Sequence, residues 1–336
     1  MSGISEACAA LLAESQRYAP VYGDRLANHL PMALVALDRQ GADPATLRRF
    51  ADAYAARLAP APVAASALDP HAYLGSSGDY PRFVRFFRDR ILEAGADAVL
   101  RDWVPVLMPG LAASAFHAMI RLAYALDSGV EDEIALALAY WASDYAALPL
   151  SLEAASGSLD EIAQRLRTTL AGHVFQPGII IDKMLEIAWD PALAGAVVQP
   201  RAAPTLPEIA RFGLDAYWAR EDFTLLHVVT ACHAFRIVQR YANDQALARR
   251  YLWQAALAAW LTIAVTPPAR ETDAAAWPAP AEEAIAARAC LSSDDHVIKL
   301  CHSALCEYRE YGDRRYLRAA ARKLGIVELD FVVQQI

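Results

Sequence analysis

The sequence predicts an all-α protein that folds as one compact multi-helix domain over residues 1–336. Its apolar fraction is 56%, and much of that excess is alanine, the residue with the highest helix propensity. β-Branched residues are sparse, and no segment alternates apolar and polar side chains for long enough to require a sheet. Helix-start signals recur, among them Asp43-Pro44 and the capping-box pair Ser158 and Glu161. We therefore expect several fully buried helices.

The individual helices are predicted from their caps and from apolar residues at helical spacing. They run from Asp24 to Gly41, from Asp43 onward, from Asp79 to Gly95, from Phe116 to Leu126, from Val130 to Ala147, and over 204–219, 222–241, 244–265, 281–290, 294–311 and 313–323. No sequence repeat of fixed period accompanies them, which argues against a solenoid.

Charge and composition exclude several classes of function. The net charge of -8 argues against a nucleic-acid partner, since such affinity comes largely from basic patches. The uncharged stretches Trp103–Ile120 and Tyr251–Ala269 contain prolines, so we predict buried helices with breaks and no membrane partner. The N-terminus has no basic region typical of a signal peptide. Five cysteines without a C-x-x-C pair indicate reduced thiols and a cytoplasmic protein.

The histidines are the main candidates for chemistry. Three of the eight are predicted to lie in loops or near linkers, namely His71, His173 and His302. Five lie in strongly apolar segments predicted to be helical, namely His29, His117, His227, His233 and His296. A single buried histidine is more often a core residue with satisfied ring nitrogens. Several on separate helices favour a metal site buried between helices, because bundles build such sites from converging side chains.

Spacing separates some of these candidates. His227 and His233 are six residues apart, about 120° apart around a helix, so one is a ligand and the other packs or contacts substrate. His296 and Lys299 are three residues apart and share a helix face. Lys299 could pair with Asp295 or Glu307. Alternatively, burial could give it a neutral amine that takes up carbon dioxide and becomes a carbamate ligand.

Four segments together resemble the questin oxidase-like family. They are Asn28-His29-Leu30-Pro31-Met32-Ala33-Leu34 with Gly41-Ala42 after it, Phe116-His117-Ala118-Met119-Ile120-Arg121-Leu122-Ala123-Tyr124-Ala125-Leu126, Asp222-Phe223-Thr224-Leu225-Leu226-His227-Val228-Val229-Thr230, and Asp294-Asp295-His296-Val297-Ile298-Lys299. They occur in the family's order and span nearly the whole chain.

The resemblance implies oxygen-dependent chemistry on anthraquinone-like aromatic polyketides, by Baeyer–Villiger-type oxidation or ring cleavage, in secondary metabolism. It also implies a non-haem Fe(II) centre with dioxygen as co-substrate. By motif, the implied metal ligands are His29, His117, His227, His296 and a carboxylated Lys299. Such a set would fill five positions of an octahedron and leave one open for dioxygen.

Other residues are predicted to support this centre. We expect Asn28, Thr230, Asp295 and His233 to surround the ligands and fix ring tautomers or the lysine. Aromatic side chains, among them Tyr124, Tyr140 and Trp141, could form a wall for a small aromatic substrate. We expect a small-molecule substrate and a possible homo-oligomer, and the sequence does not indicate which residues are catalytic.

Two alternatives stay open at this stage. The same ligands could hold zinc and activate water in a hydrolase, although the chain lacks an H-E-x-x-H motif. The chain could also be a non-catalytic helical protein that binds an apolar ligand and buries its histidines structurally.

Overall fold

The structure is a computed structural model that describes residues 3–63, 69–193, 195–263 and 280–326. The chain divides into two units. Unit 1 comprises residues 1–62, 124–133 and 268–336, and unit 2 comprises residues 63–123 and 134–267. That residues 1–336 form a single domain stays a prediction.

Within the described ranges almost all regular structure is α-helical, which confirms the all-α prediction. The helices of the first half are α1 Glu6–Ser15, α2 Leu30–Arg39, α3 Pro44–Ala55, α4 Tyr80–Ala94, α5 Ala96–Leu107, α6 His117–Ser128, α7 Glu131–Ser143 and α8 Leu159–Thr169. Those of the second half are α9 Ile180–Ala188, α10 Leu206–Ala219, α11 Phe223–Val238, α12 Gln245–Leu261, α13 Glu282–Ala289, α14 Asp295–Tyr311 and α15 Arg315–Lys323.

Four strands of two residues each are the extended elements of the described chain. In unit 1, β1 (Val21–Tyr22) pairs antiparallel with β2 (Leu26–Ala27). In unit 2, β3 (Ala154–Ala155) pairs parallel with β4 (Gln199–Pro200). Ladders this short do not make an independent sheet, so they fasten loops between helices.

The predicted caps explain where several helices begin. The side chain of Asp43 accepts a hydrogen bond from the backbone of α3, with Pro44 in the first turn. Ser158 and Glu161 form the expected capping box of α8, and Thr205 with Glu208 forms a second one on α10. Polar residues at helix starts therefore specified these boundaries reliably.

The first long predicted helix begins later than expected. The leucine spacing predicted a start after Asp24, whereas residues 21–27 form the β1–β2 hairpin and α2 begins at Leu30. Pro31 lies in the first turn, where its missing N–H removes no helical hydrogen bond. His29 is consequently the residue that precedes α2 and not a residue of the helix interior.

In unit 1, α14 packs against α2. Gln40, at the end of α2, donates hydrogen bonds from Nε2 to the carbonyls of Ala36 and Ile298, at 2.9 and 3.2 Å. The first bond closes the end of α2 and the second joins it to α14. This contact fixes α14 relative to the segment that carries His29.

In unit 2, α10 and α11 approach closely at a glycine. A Cβ atom added to Gly213 would lie 2.9 Å from Cγ1 of Val228, which is closer than real Cβ atoms come. Val228 follows His227 in α11, and the helix is buried over most of its length. The absence of a side chain at Gly213 therefore lets α10 support the turn of α11 that carries His227.

None of the described helices has the length and hydrophobicity needed to cross a membrane. The stretch Trp103–Ile120 is divided between α5, a 3₁₀ turn at Met108–Gly110 and α6. Residues 264–269 of the second apolar stretch, with the end of the predicted helix 244–265, lie outside the described residues.

Candidate metal-binding histidines

In unit 1, one carboxylate oxygen contacts two histidines. Oδ2 of Asp295 lies in hydrogen-bond contact with Nδ1 of His29 and 3.1 Å from Nδ1 of His296. The two rings meet edge to face, with centroids 4.6 Å apart. A carboxylate accepts but cannot donate, so both rings carry their proton on Nδ1 when neutral. Each Nε2 then presents a lone pair, which is the form of imidazole that binds a metal.

Hydrogen bonds at the starts of α2 and α14 position His29 and His296. The backbone N–H of His29 donates to the hydroxyl of Tyr54 at 3.1 Å, which ties the start of α2 to α3. At the start of α14, Asp294 accepts from the backbone N–H groups of His296 and Val297, at 2.8 and 3.3 Å. Burial lowers the pKa of His296, and the charge of Lys299 lowers it further. The carboxylates of Asp294 and Asp295 act in the opposite direction without reversing the shift. The site thereby favours the neutral imidazole that a metal requires.

The acidic pair at this helix start offers a different ligand set. Asp294, Asp295 and His296 bring three potential ligand atoms within 4.8 Å of one another. However, Asp294 is already the helix cap and its side chain is 56% exposed, whereas that of Asp295 is 9% exposed. We therefore interpret Asp294 as a structural cap and Asp295 as the group that orients the rings.

Lys299 lies one turn beyond His296 and is 2% exposed. Within the described residues its ammonium has no hydrogen bond and no ion pair, so the pairing with Asp295 or Glu307 considered from the sequence is not observed. Burial lowers the pKa of Lys299 to about 8, with Asp295 and Asp294 opposing the shift. The chain contains 28 arginines and only three lysines. Lysine is therefore the rarer of the two cationic side chains in this protein, and Lys299 is buried.

In unit 2, two further histidines face each other. Nδ1 of His117 donates to the carbonyl of Ser114, and Nδ1 of His227 donates to the carbonyl of Phe223 at 2.7 Å. The two Nε2 atoms lie 3.2 Å apart. With both Nδ1 protons committed to carbonyls, two lone pairs point at each other. Such a pair repels unless a proton or a metal cation lies between the nitrogens.

The separation of the two Nε2 atoms fits a shared metal. Ligand nitrogens about 2.1 Å from one ion and at right angles to each other would be about 3.0 Å apart, close to the observed 3.2 Å. A single proton would satisfy the pair too, but at the cost of placing an uncompensated cation among buried apolar residues. The spacing of His117 and His227 is therefore compatible with two ligands of one metal ion.

The backbone before His117 is strained. Ser114, Ala115 and Phe116 have φ of 47°, 52° and 72°, in the left-handed region that residues with side chains avoid. Each such residue costs about 1–3 kcal/mol. Burial of Ala115 and Phe116 and a hydrogen bond from Ser114 to Asp144 hold the segment. The strain places the Ser114 carbonyl under the ring of His117, which is where its Nδ1 proton is accepted.

Two predicted supporting residues make backbone contacts. The side-chain amide of Asn28 donates to the carbonyl of Ala19 and accepts from the N–H of Leu30, both at 3.0 Å, so it holds the chain on each side of His29. The hydroxyl of Thr230 donates to the carbonyls of Leu226 and His227, both at 3.2 Å. Asn28 positions His29 through the backbone, and Thr230 contacts the backbone of His227 and not its ring.

The other predicted residues are buried. His233 lies on α11, six residues after His227, and is buried like it. Tyr140 and Trp141 lie in α7, where the indole N–H of Trp141 donates to the carbonyl of Gly110 at 3.0 Å. Tyr124 lies in unit 1 with its hydroxyl 3.1 Å from Nδ1 of His302. Their contact with a substrate stays a prediction.

His302 lies in a buried environment that the sequence did not predict. It was predicted to lie near a linker, but it is buried within α14. The exposed charges Arg309 and Glu310 lie in the last turns of the predicted helix 294–311, whereas the observed helix is buried as far as Leu305. The i, i+4 spacing to Cys306 was the available signal.

Comparison with known protein families identifies a match. Residues 26–206, more than half of the chain, match the family model described as questin oxidase-like. The matched range contains His29 and His117 and ends before His227, His296 and Lys299. No curated protein matches the chain.

We expect Asp295→Asn to weaken metal binding. The amide is neutral, so its oxygen accepts more weakly from the two Nδ1–H groups than the carboxylate does, and its NH₂ group is a competing donor. Loss of such an orienting partner typically costs about 10–100-fold in affinity. Titration of metal-free protein with Co(II), followed by absorption, measures this change.

Asp294→Asn is the matched control for that change. Asparagine caps a helix about as well as aspartate, so the affinity of this variant should stay at the wild-type value. Equal losses in both variants would show that Asp294 is a ligand or that charge alone matters. No loss in Asp295→Asn would contradict the orienting role of Asp295.

Proposed function

Because the chain belongs to the questin oxidase-like family, we propose that it is an oxygenase acting on an aromatic polyketide or a related aromatic compound. The family name indicates an oxidase, which supports enzymatic activity. We propose that the reaction is either a Baeyer–Villiger-type oxidation or a ring cleavage. The 3.2 Å approach of the two Nε2 atoms of His117 and His227 is the structural observation that supports a metal-dependent reaction.

We further propose that the cofactor is a non-haem Fe(II) ion bound by the imidazoles of His29, His117, His227 and His296. Each of the four has its Nδ1 atom engaged by a carboxylate or a carbonyl, which leaves Nε2 as the donor atom. Neutral nitrogen donors suit Fe(II) and other late divalent metals. The iron would supply the binding and activation of dioxygen that an aromatic ring cannot achieve alone.

The fifth proposed ligand is Lys299 as its carbamate. Four neutral imidazoles leave a dication's charge uncompensated, and a carbamate contributes one negative charge and an oxygen donor. The reaction joins the neutral amine to carbon dioxide and releases one proton. A buried lysine with no partner among the described residues and a pKa of about 8 reaches the neutral form readily. Arginine could not replace it, because guanidinium does not lose its proton in proteins.

The chain's residues would have distinct tasks in turnover. Asp295 and the two carbonyls keep the imidazoles in the tautomer that donates from Nε2. The apolar surroundings of α11 exclude water from His227. We propose that Tyr124, Tyr140 and Trp141 contact the small aromatic substrate, as the sequence suggested.

The proposed function predicts oxygen consumption that depends on iron. Protein purified anaerobically and loaded with Fe(II) should consume dioxygen when given a hydroxylated anthraquinone, and the zinc-loaded protein should not. Labelled dioxygen should enter the product, and one or two incorporated atoms would distinguish a monooxygenase from a dioxygenase. Zinc-dependent turnover without incorporation would identify a hydrolase and contradict the proposal.

Histidine variants provide the matched controls for this assay. His117→Ala should abolish turnover and lower iron content. His173→Ala should affect neither, because its imidazole lies between Glu186 and Asp190, 2.9 Å from each, and serves a local ion pair. Equal iron loss in both variants would point to unfolding, which far-ultraviolet circular dichroism would detect.

Lys299→Ala should lower iron content and turnover together, because the variant loses an anionic ligand. Added acetate or propionate should restore part of both by occupying the vacated volume. Lys183→Ala is the control, since Lys183 lies on α9 and is outside the proposed ligand set. Normal iron content and normal turnover in Lys299→Ala would contradict the ligand role.

A further inference from the structure

A second chemical cluster lies on α14 in unit 1, outside the proposed metal ligands. Nε2 of His302 is 3.7 Å from Sγ of Cys306, one turn later on the same helix. On the other side of the ring, Nδ1 of His302 is 3.1 Å from the hydroxyl of Tyr124. The imidazole thus connects a thiol to a phenol.

The geometry of this cluster is that of an activated nucleophile. The imidazole can take the thiol proton on Nε2, and the phenol oxygen then accepts the hydrogen bond from Nδ1–H. The imidazolium so formed stabilises the thiolate next to it. His302 is buried, while Cys306 keeps part of its surface exposed, so the base is more shielded than the residue that carries the thiol.

We propose that Cys306 is a nucleophilic thiolate activated by His302, and that it captures an alkene conjugated to a carbonyl group, the class that includes quinones and enones. Conjugate addition has no leaving group. It needs one thiolate and one proton donor, and His302 provides for both. The proposal does not depend on the metal centre or on the proposed oxygenase activity.

The step balances without an oxidant or a reductant. The Sγ–H bond breaks and its proton moves to Nε2 of His302. Sγ then forms a bond to the β carbon of the alkene, the one not attached to the carbonyl group, and the π electrons move to the carbonyl oxygen. That oxygen takes the proton from the imidazolium, which leaves a thioether and a neutral imidazole.

Three of the four other cysteines of the described chain provide internal controls. Cys290 is also partly exposed, but its thiol donates to the carbonyl of Gln40 at 3.6 Å. Burial raises the pKa of the Cys290 thiol, and burial raises the pKa of both Cys8 and Cys301 to about 12. Among the described residues, no imidazole lies within hydrogen-bond distance of the sulfur of Cys8, Cys290 or Cys301. Each therefore shows the reactivity expected of a thiol without a neighbouring base.

The test is the rate at which each cysteine reacts with N-ethylmaleimide, an alkene conjugated to carbonyl groups. The protein as purified is treated at pH 7, quenched at intervals and mapped by peptide mass spectrometry. We expect Cys306 to react at least ~10-fold faster than Cys290, as activated thiols do, with Cys8 and Cys301 slower still. Equal rates at Cys306 and Cys290 would overturn the proposal.

Two variants separate activation from mere exposure. His302→Gln should slow Cys306 at least ~10-fold and leave Cys290 unchanged, because only Cys306 loses its base. Tyr124→Phe removes one oxygen atom and should slow Cys306 by a smaller factor. If His302→Gln melts at a lower temperature, Tyr124→Phe decides the question. An unchanged Cys306 rate in a folded variant of either kind would overturn the role of His302.

Discussion

Each of the four candidate imidazoles is held through its Nδ1 atom. In unit 1 the acceptor that both rings share is the carboxylate of Asp295, and Oδ1 of Asp294 lies 3.7 Å from Nδ1 of His296. In unit 2 the acceptors are the backbone carbonyls of Ser114 and Phe223. This anchoring decides which nitrogen is available, since a neutral imidazole has one donor and one acceptor. Without it, the rings could turn or change tautomer, and the Nε2 lone pairs would not be presented consistently.

The surrounding structure maintains these anchors at some cost in stability. Three consecutive left-handed residues at 114–116, each costing about 1–3 kcal/mol, bring the Ser114 carbonyl to His117. The turn at Asn28 and the hydroxyl of Tyr54 define the start of α2 and with it the position of His29. Backbone strain and buried polar contacts of this kind are concentrated at functional sites. The buried lysine at position 299 belongs to the same pattern.

The sequence predicted the helices well because their boundaries depend on local chemistry. Asp43-Pro44 and the Ser158 capping box act within a few residues of the cap, so they can be recognised without knowing the fold. The start of α2 was misplaced because the leucine spacing continues through the β1–β2 hairpin. Periodicity alone cannot distinguish a helix from a hairpin over so short a segment.

The site was predictable in its residue types and not in its geometry. Apolar context singled out five histidines, and the family resemblance selected His29, His117, His227 and His296 among them. Nothing local in the sequence indicates that one oxygen of Asp295 contacts the rings of both His29 and His296. Nor does it show the left-handed backbone at 114–116, since Ser, Ala and Phe are not residues that favour it. His302 was misplaced because α14 is buried as far as Leu305 and becomes exposed only at Arg309 and Glu310, in its last turns.

X-ray absorption spectroscopy at the iron edge tests the central claim most directly. The measurement uses protein loaded with Fe(II) under anaerobic conditions, and it counts the imidazoles around the metal from their multiple-scattering signal. The account predicts four imidazole nitrogens at about 2.1 Å together with oxygen donors and no sulfur. Two or fewer imidazoles, or a sulfur ligand, would contradict the proposal that all four histidines bind one iron.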